Sequence, residues 1–260
     1  MSVRTTAWPA GAPAWVSLTV SDLGAATGFY GDLLGWDFLE GQGPDGRTYL
    51  TATVDSQPVA GLGQPADPAT PAQWTVFLAS DDAVRATRTA WDAGGTVLVE
   101  ATAVDSSGSA ALLTDPTGAV VGVWQARGHL GVALTDAPGA LVWCELVTGD
   151  LSAARAFYAA VFGVRYEDVP ELAGRYVSVH TAEGTAAGLG EPDPDIGWQG
   201  TAHWLVYFAV PDVDAAVAVA TRHGGRAERP AFDSPFGRIA VLRGPSRERF
   251  AILAPAPEPA

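Results

Sequence analysis

Residues 15–30 read Trp15-Val-Ser-Leu-Thr-Val-Ser-Asp22-Leu-Gly-Ala-Ala-Thr-Gly-Phe29-Tyr30 and close on Gly35. Residues 143–158 read Trp143-Cys-Glu-Leu-Val-Thr-Gly-Asp150-Leu-Ser-Ala-Ala-Arg-Ala-Phe157-Tyr158 and close on Gly163. The two stretches are copies of one pattern. Working outward, Tyr49 matches Tyr176, Gly61-Leu62-Gly63 matches Gly188-Leu189-Gly190, Trp74 matches Trp204, and Gly94-Gly95 matches Gly224-Gly225. The offset, about 130 residues, is a domain length rather than a solenoid period. The chain is a tandem duplication.

Within the first copy, residues 14–20 alternate and are rich in Val, Leu and Thr, which predicts a strand. Asp22 to Leu34 carries apolar residues at helical spacing behind an N-capping Ser21-Asp22 pair. Three β-type runs follow near 35–40, 47–54 and 57–63, separated by Gly, Pro and Asp clusters. The unit is β-α-β-β-β. It repeats with strand 73–80, helix 82–93 ending at Gly94-Gly95, and strands near 96–100, 109–114 and 119–125. Two more units span about 141–190 and 202–254, so the class is α+β with mixed sheets. The predicted organisation is module one over 1–126, a linker over 127–139 and module two over 140–260. The linker and the Pro-rich tail from Ala254 to Ala260 are expected to carry no chemistry.

Composition narrows the function classes. Fifteen basic against twenty-nine acidic residues give a net charge of −14, which repels phosphate backbones and anionic membrane surfaces, so nucleic acid and membrane are not expected partners. All fifteen basic residues are arginine. Without lysine there is no Schiff-base catalysis and no pyridoxal phosphate attachment. No phosphate-cradling loop or dinucleotide fingerprint follows a strand, and no cofactor is expected. The lone cysteine, Cys144, rules out an internal disulfide and is read as a small core residue. No apolar run reaches the length of a membrane span and no signal-peptide pattern opens the chain, so a cytoplasmic protein is expected. Monomer and homodimer are both compatible with this sequence.

The strand ending Val20-Ser-Asp22-Leu, the Phe-Tyr pair near the helix end, the Leu34-Gly35-Trp36 exit, the Gly94-Gly95 stop and the hairpin Thr114-Asp115-Pro-Thr-Gly118 together resemble the vicinal oxygen chelate superfamily. This group includes glyoxalases, extradiol dioxygenases and bleomycin-resistance proteins. The nearest likeness is to two-module actinobacterial glyoxalase-like proteins sharing the Trp-x-Glu-Leu-x-Thr strand and a Gly122-Val-Trp124-Gln125 ending. The resemblance implies curved, partly open sheets with outer helices. In metal-dependent members it implies four inward His, Glu or Gln ligands per module. The matching positions here are Trp15, Gly61, Thr75 and Gly122, then Trp143, Gly188, Leu205 and Ala251, and none supplies a metal donor of those kinds. His203, two before Leu205, is the nearest candidate ligand, while His129 falls in the linker, His223 at a helix end and His180 alone on a strand. No metal site is expected.

If those positions face a cavity, alternation places Trp15, Ser17 and Thr19 on its wall in module one and Trp143, Glu145 and Val147 in module two. Trp124 then shares a face with Gly122, and Phe77 and Tyr207 share theirs with Thr75 and Leu205. Such an aromatic lining suits a flat organic ligand, and it equally suits rings that plug the barrel. Tyr49 and Tyr176, with Thr51, Thr53, Ser178 and His180, form polar stripes that face either a ligand or solvent. Arg47 and Arg175, just before them, are candidates for pairing with carboxylates.

Glu145 is a carboxylate in the middle of an apolar strand, costly to bury unless paired or functional, and its module-one counterpart is Ser17. It is the candidate general base; a structural role in bonding tyrosine, arginine or backbone amides is the alternative. This asymmetry, with Asp115-Pro against Gly244-Pro, points to chemistry in module two at most. The functions weighed are metal-independent binding of a small aromatic or polyketide-like compound, either as a resistance protein sequestering a drug, where a net charge of −14 would attract a cationic one, or as a tailoring isomerase, cyclase or lyase; a metal-dependent glyoxalase or dioxygenase; and a scaffold with plugged cavities.

Overall fold

A computed structural model describes residues 2–170, 175–192 and 200–256; the last residues of the Pro-rich tail lie outside them. After a short strand β1 (Ser2–Val3), module one runs β2 (Pro13–Thr19), α1 (Leu23–Leu34), β3 (Asp37–Gln42), β4 (Thr48–Val54) and β5 (Gln57–Gly63). It continues with β6 (Gln73–Ala79), α2 (Ala83–Asp92), β7 (Thr96–Val104), β8 (Gly108–Thr114) and β9 (Val120–Ala126). Strand β10 (Leu134–Thr135) pairs back with β1. Module two repeats the order as β11 (Leu141–Val147), α3 (Leu151–Phe162), β12 (Arg165–Asp168), β13 (Tyr176–Thr181) and β14 (Gly184–Gly190). It ends with β15 (His203–Ala209), α4 (Val213–Arg222), β16 (Arg226–Ala227), β17 (Phe232–Ser234), β18 (Gly237–Arg243) and β19 (Arg249–Pro255). The expected 96–100 strand is longer than its apolar run, whereas its module-two counterpart is cut to two residues with β17 attached to β18.

Each unit is punctuated by the same chemistry. Asp22, Asp82, Asp150 and Asp212 each cap a helix by accepting a hydrogen bond from the backbone N–H three residues on. Gly35 and Gly163 end α1 and α3 at φ 70°, a left-handed cap that favours glycine.

Module one is an eight-stranded sheet in the order β3-β4-β5-β2-β6-β9-β8-β7, and module two follows with β12-β13-β14-β11-β15-β19-β18-β16. In each, the first strands of the two units pair antiparallel at the centre, with parallel neighbours on either side. The result is a curved, open mixed sheet. One face packs on the helices through Val16, Leu18, Trp74 and Val76, and through Cys144, Leu146, Trp204 and Val206. The other, here called the inner face, carries the odd-numbered partners.

The helix-side core is continuous between modules, and the duplicated Phe-Tyr pairs explain why. Phe157 of module two sits on Gly95 of module one, where a Cβ would lie 2.7 Å from its ring. Phe29 reciprocates on Gly225 at 2.9 Å. The second glycine of each helix stop is therefore required by close approach of the opposite module. Tyr158 receives a hydrogen bond from Trp204 Nε1 (2.9 Å) and donates to Asp115 Oδ2 (3.0 Å). Tyr30 receives one from Trp74 Nε1 (3.0 Å) and donates to Glu248 Oε1 (3.0 Å). Each tyrosine is fully buried, so an unmade bond there would cost about 1–3 kcal/mol.

Candidate functional site

The inner face of module two brings together four of the residues singled out by sequence. Tyr207 Oη donates to Glu145 Oε1 at 2.6 Å, Tyr176 Oη donates to Oε2 at 3.2 Å, and Trp143 Nε1 donates to Tyr176 Oη at 3.0 Å. The register dictates this. Glu145 pairs with Leu205 on one side and Gly188 on the other, and Trp143 pairs with Tyr207. Burial pushes the Glu145 carboxyl above the usual carboxylate range, and the two tyrosine hydroxyls and the Arg249 charge pull partly back. The residue as a whole is half-buried. Both neighbouring phenols are raised by burial first and then by the Glu145 charge, so they remain donors.

Module one has the same frame with the charge removed. Trp15 Nε1 donates to Tyr49 Oη at 2.8 Å, and Tyr49 Oη donates to Ser17 Oγ at 3.2 Å. Phe77 stands where module two has Tyr207. His129, which sequence reading left in the linker, enters this face. Its ring meets Trp15 edge-on at 4.4 Å and Trp124 at 5.7 Å, while Trp124 Nε1 donates to its carbonyl at 3.0 Å. Burial lowers the His129 pKa, keeping the imidazole neutral. Trp15 and Trp124 are consequently buried, at 5% and 6% exposure, whereas Trp143 remains half-open.

A cleft of about 310 Å³ opens beside Trp143 between module two and the Trp8–Pro13 segment, lined also by Val132, Thr181, Glu183 and Ala186. It borders the Glu145 network through Trp143 and does not itself reach Glu145. The rest of the inner face beyond Glu145 is partly filled, with Leu205, Tyr207, Ile239 and Ala251 forming a small apolar cluster joined by Phe232.

The family's ligand positions can be tested directly. A Cβ on Gly61 or Gly188 would lie 1.8 Å from the hydroxyl of Tyr49 or Tyr176, and one on Gly122 would lie 2.1 Å from the Phe77 ring. Aromatic rings occupy the space a ligating side chain would need. Among the described residues no group of three or more His, Cys, Asp or Glu is disposed to hold a metal ion. The residues present do not fit the quartet.

Other residues singled out by sequence find partners of their own. His180 is not alone: its Nε2 lies 2.9 Å from Ser178 Oγ and 3.4 Å from the exposed Glu167 carboxylate, and its Nδ1 lies 3.5 Å from Thr185 Oγ1. Register shifts between Val179 and His180 and between Ala52 and Thr53 place a bulge at the same point in both modules; His180 stays on the Ser178 face, whereas Thr53 is buried. Alternation cannot reveal a bulge. Arg47 pairs with Asp45, and Arg175 with Glu191 at 3.3 Å. The Asp115 and Gly244 asymmetry does not separate an active from an inactive module, because Glu248 replaces Asp115 in holding the opposite tyrosine. Sequence reading also missed Arg249. It donates through Nη1 to His203 Nε2 at 2.8 Å, with Nε 2.7 Å from Glu228. The signal was available as the inner-face position two residues before Ala251.

The family model described as the Glyoxalase/Bleomycin resistance protein/Dioxygenase superfamily matches residues 12–123 and again 140–252. CFP32 of Mycobacterium tuberculosis, which carries a glyoxylase name, is 37% identical over 255 residues, covering 95% of this chain and 96% of its own. DauV of Streptomyces sp. strain C5, named an anthracycline biosynthesis protein, is 34% identical over 259 residues, covering 94% and 93%. Among solved structures, a Mn(II)-bound glyoxalase from Novosphingobium aromaticivorans superposes with a TM-score of 0.63 at 16% identity, covering 96% of this chain and 89% of that one. A variant of 4-hydroxymandelate synthase from Streptomyces coelicolor gives 0.61 at 19%, covering 97% and 95%. At these identities the structural likenesses speak for the fold alone.

Proposed function

The chain belongs to the glyoxalase/bleomycin resistance protein/dioxygenase superfamily, and from that premise we propose that it binds and tailors a small aromatic or polyketide-like compound at the inner face of module two, without a metal. The observation that carries this reading is the Glu145 carboxylate, held between two tyrosine hydroxyls beside a half-open tryptophan and a cleft. The relative named for anthracycline biosynthesis supports a polyketide-like ligand. Rings standing over the glycines at the ligand positions support chemistry that does not pass through a metal.

The site's own residues supply a proton-transfer step. Trp143 offers an aromatic face, and the cleft beside it admits a flat molecule. Glu145, oriented by Tyr176 and Tyr207, takes a proton from a carbon next to a carbonyl. The C–H electron pair becomes a carbon–carbon double bond and the carbonyl oxygen becomes an enolate. Return of the proton to another carbon completes an isomerisation, and expulsion of a leaving group completes an elimination. A raised carboxyl pKa makes Glu145 a stronger base than an exposed glutamate. Module one, stoppered by His129, serves in this reading as a structural partner.

The test is calorimetric titration with flat phenols and quinones against wild type, Trp143→Ala and Glu145→Gln. We expect Trp143→Ala to weaken binding about tenfold or more, as loss of a stacking anchor does. Glu145→Gln should retain affinity within about threefold and abolish conversion of any compound the wild type turns over. Absence of binding by every probe, or indifference to Trp143, would end the proposal.

A further inference from the structure

The inner face of module two is ordered in rows across its strands. One row is aromatic and apolar: Ala251 pairs with Tyr207, and Tyr207 with Trp143. The next row is charged. Glu145 pairs with Leu205, and two residues back from the Tyr207–Ala251 pair Leu205 stands beside Arg249, which pairs in turn with Arg243. Glu145 and Arg249 thus flank one intervening strand. At about 4.8 Å per strand their Cα atoms are roughly 10 Å apart, within reach of an arginine and a glutamate meeting the same small molecule. The two rows are about 6.6 Å apart along the strands, close to the width of a fused ring pair.

The corresponding row of module one reads Ser17, Thr75, Val120 and Thr114, with no charge. In module two, Arg243 and Arg249 share one carboxylate: Glu228 lies 2.7 Å from each Nε. His203 adds none, because its Nε2 accepts from Arg249 while Nδ1 faces the Thr201 carbonyl at 3.1 Å, the neutral tautomer. The Arg243–Glu228–Arg249 trio therefore carries net positive charge within a chain whose total is −14, and Glu145 across the intervening strand balances it when ionised. Screening over about 8 Å at physiological salt lets this local sign prevail over the distant acidic surface.

We propose that Arg249 holds an anionic oxygen of the ligand, so that the compound recognised by module two is a flat aromatic acid whose ring lies on the Trp143 row and whose carboxylate or acidic enol meets the Arg249 row. This rests on the reading of module two as a ligand site and adds the ligand's charge. It also places a fixed cation where the enolate formed by Glu145 would carry its charge. His203 and Glu228 are positioning residues that set the guanidinium's orientation.

The test is calorimetric titration of 2-naphthoate against its neutral twin 2-naphthamide. Wild type is expected to prefer the acid by about tenfold, the discrimination of one charge-assisted contact. Arg249→Gln should erase that preference while leaving amide affinity within about twofold; Arg249→Lys, which keeps the charge, should retain at least about threefold preference and covers the case of a misfolded glutamine variant. Equal binding of acid and amide by wild type, or a preference that survives Arg249→Gln, would overturn the role of Arg249 and leave the ligand site standing. Failure of both probes to bind would overturn the site and the charge assignment together.

Discussion

The carboxylate of Glu248 fills the space above Gly244 that an aspartate side chain fills in module one: a Cβ on Gly244 would lie 2.0 Å from Glu248 Oε1. At the matching hairpin position Asp115 reaches Tyr158 directly, whereas in module two Glu248 folds back over a glycine to reach Tyr30. The same bond is made by two sequence solutions. Gly244→Asp alone should therefore destabilise the protein by about 2–4 kcal/mol, through overpacking and two like charges in one buried space. Gly244→Asp with Glu248→Ala, which rebuilds the module-one arrangement, should recover most of that loss. Urea unfolding of the four-member cycle checks it, and additive effects would contradict the equivalence.

Glu248 also gives stability a pH signature. Burial raises its pKa above the ordinary glutamate value, against smaller opposing contributions from backbone N–H groups and Tyr30. A raised carboxyl pKa means the folded state holds the proton more tightly. The stabilisation is complete below about pH 4.3, the unfolded value, and is lost as pH rises through the folded pKa. Glu248→Gln, which cannot ionise, should flatten this fall, and each 1 kcal/mol recovered at pH 8 should appear as about 2–4 °C in Tm. Glu145→Gln serves as the control, since that carboxyl is raised in the same direction.

The fold was legible because duplication displayed every punctuation mark twice: four capping aspartates, two left-handed glycines and two helix stops. Alternation was enough to put Trp143, Glu145 and Tyr207 on inward faces of their strands, but it left Tyr176 on a stripe facing either ligand or solvent, because it gives a face and not the strand pairing that joins the four. What alternation could not give was contact between distant segments. Nothing local in Gly128-His129-Leu130 announces that His129 will lie between Trp15 and Trp124, and nothing in Phe-Tyr announces a partner carboxylate in the other module.

His129 is the difference between the two modules that is easiest to remove. His129→Ala should cost about 0.5–1.5 kcal/mol, the worth of an aromatic edge contact, and expose Trp15. Acrylamide quenching of tryptophan emission should rise. If module two is the ligand site, affinity for its ligands should stay unchanged, and a gain in binding stoichiometry would show that opening module one creates a second site.

Metal content offers an independent check on the ring-filled ligand positions. Tag-free protein should contain well under one equivalent of manganese, zinc, iron or nickel by elemental analysis, and chelator treatment should leave Tm and aromatic binding unchanged. Stoichiometric metal, lost with activity on chelation, would mean that donors outside the quartet assemble a centre.

Gly188→Ala probes how the site is built. Its Cβ would lie 1.8 Å from Tyr176 Oη and 2.4 Å from Cζ, so the ring must leave. That movement breaks the Trp143–Tyr176 and Tyr176–Glu145 hydrogen bonds at once. Gly188 has an ordinary backbone conformation, so strain at the alanine itself is not the cause. Ligand affinity should fall about as far as in Tyr176→Phe, and the double variant should be no worse than Gly188→Ala alone, because both act by removing the same hydroxyl. The module-one twin, Gly61→Ala, displaces Tyr49 by the same geometry and should lower Tm comparably. If ligand binding survives in Gly61→Ala and fails in Gly188→Ala, the two Trp-Tyr frames are equal as structure and only the one that ends on Glu145 meets the ligand.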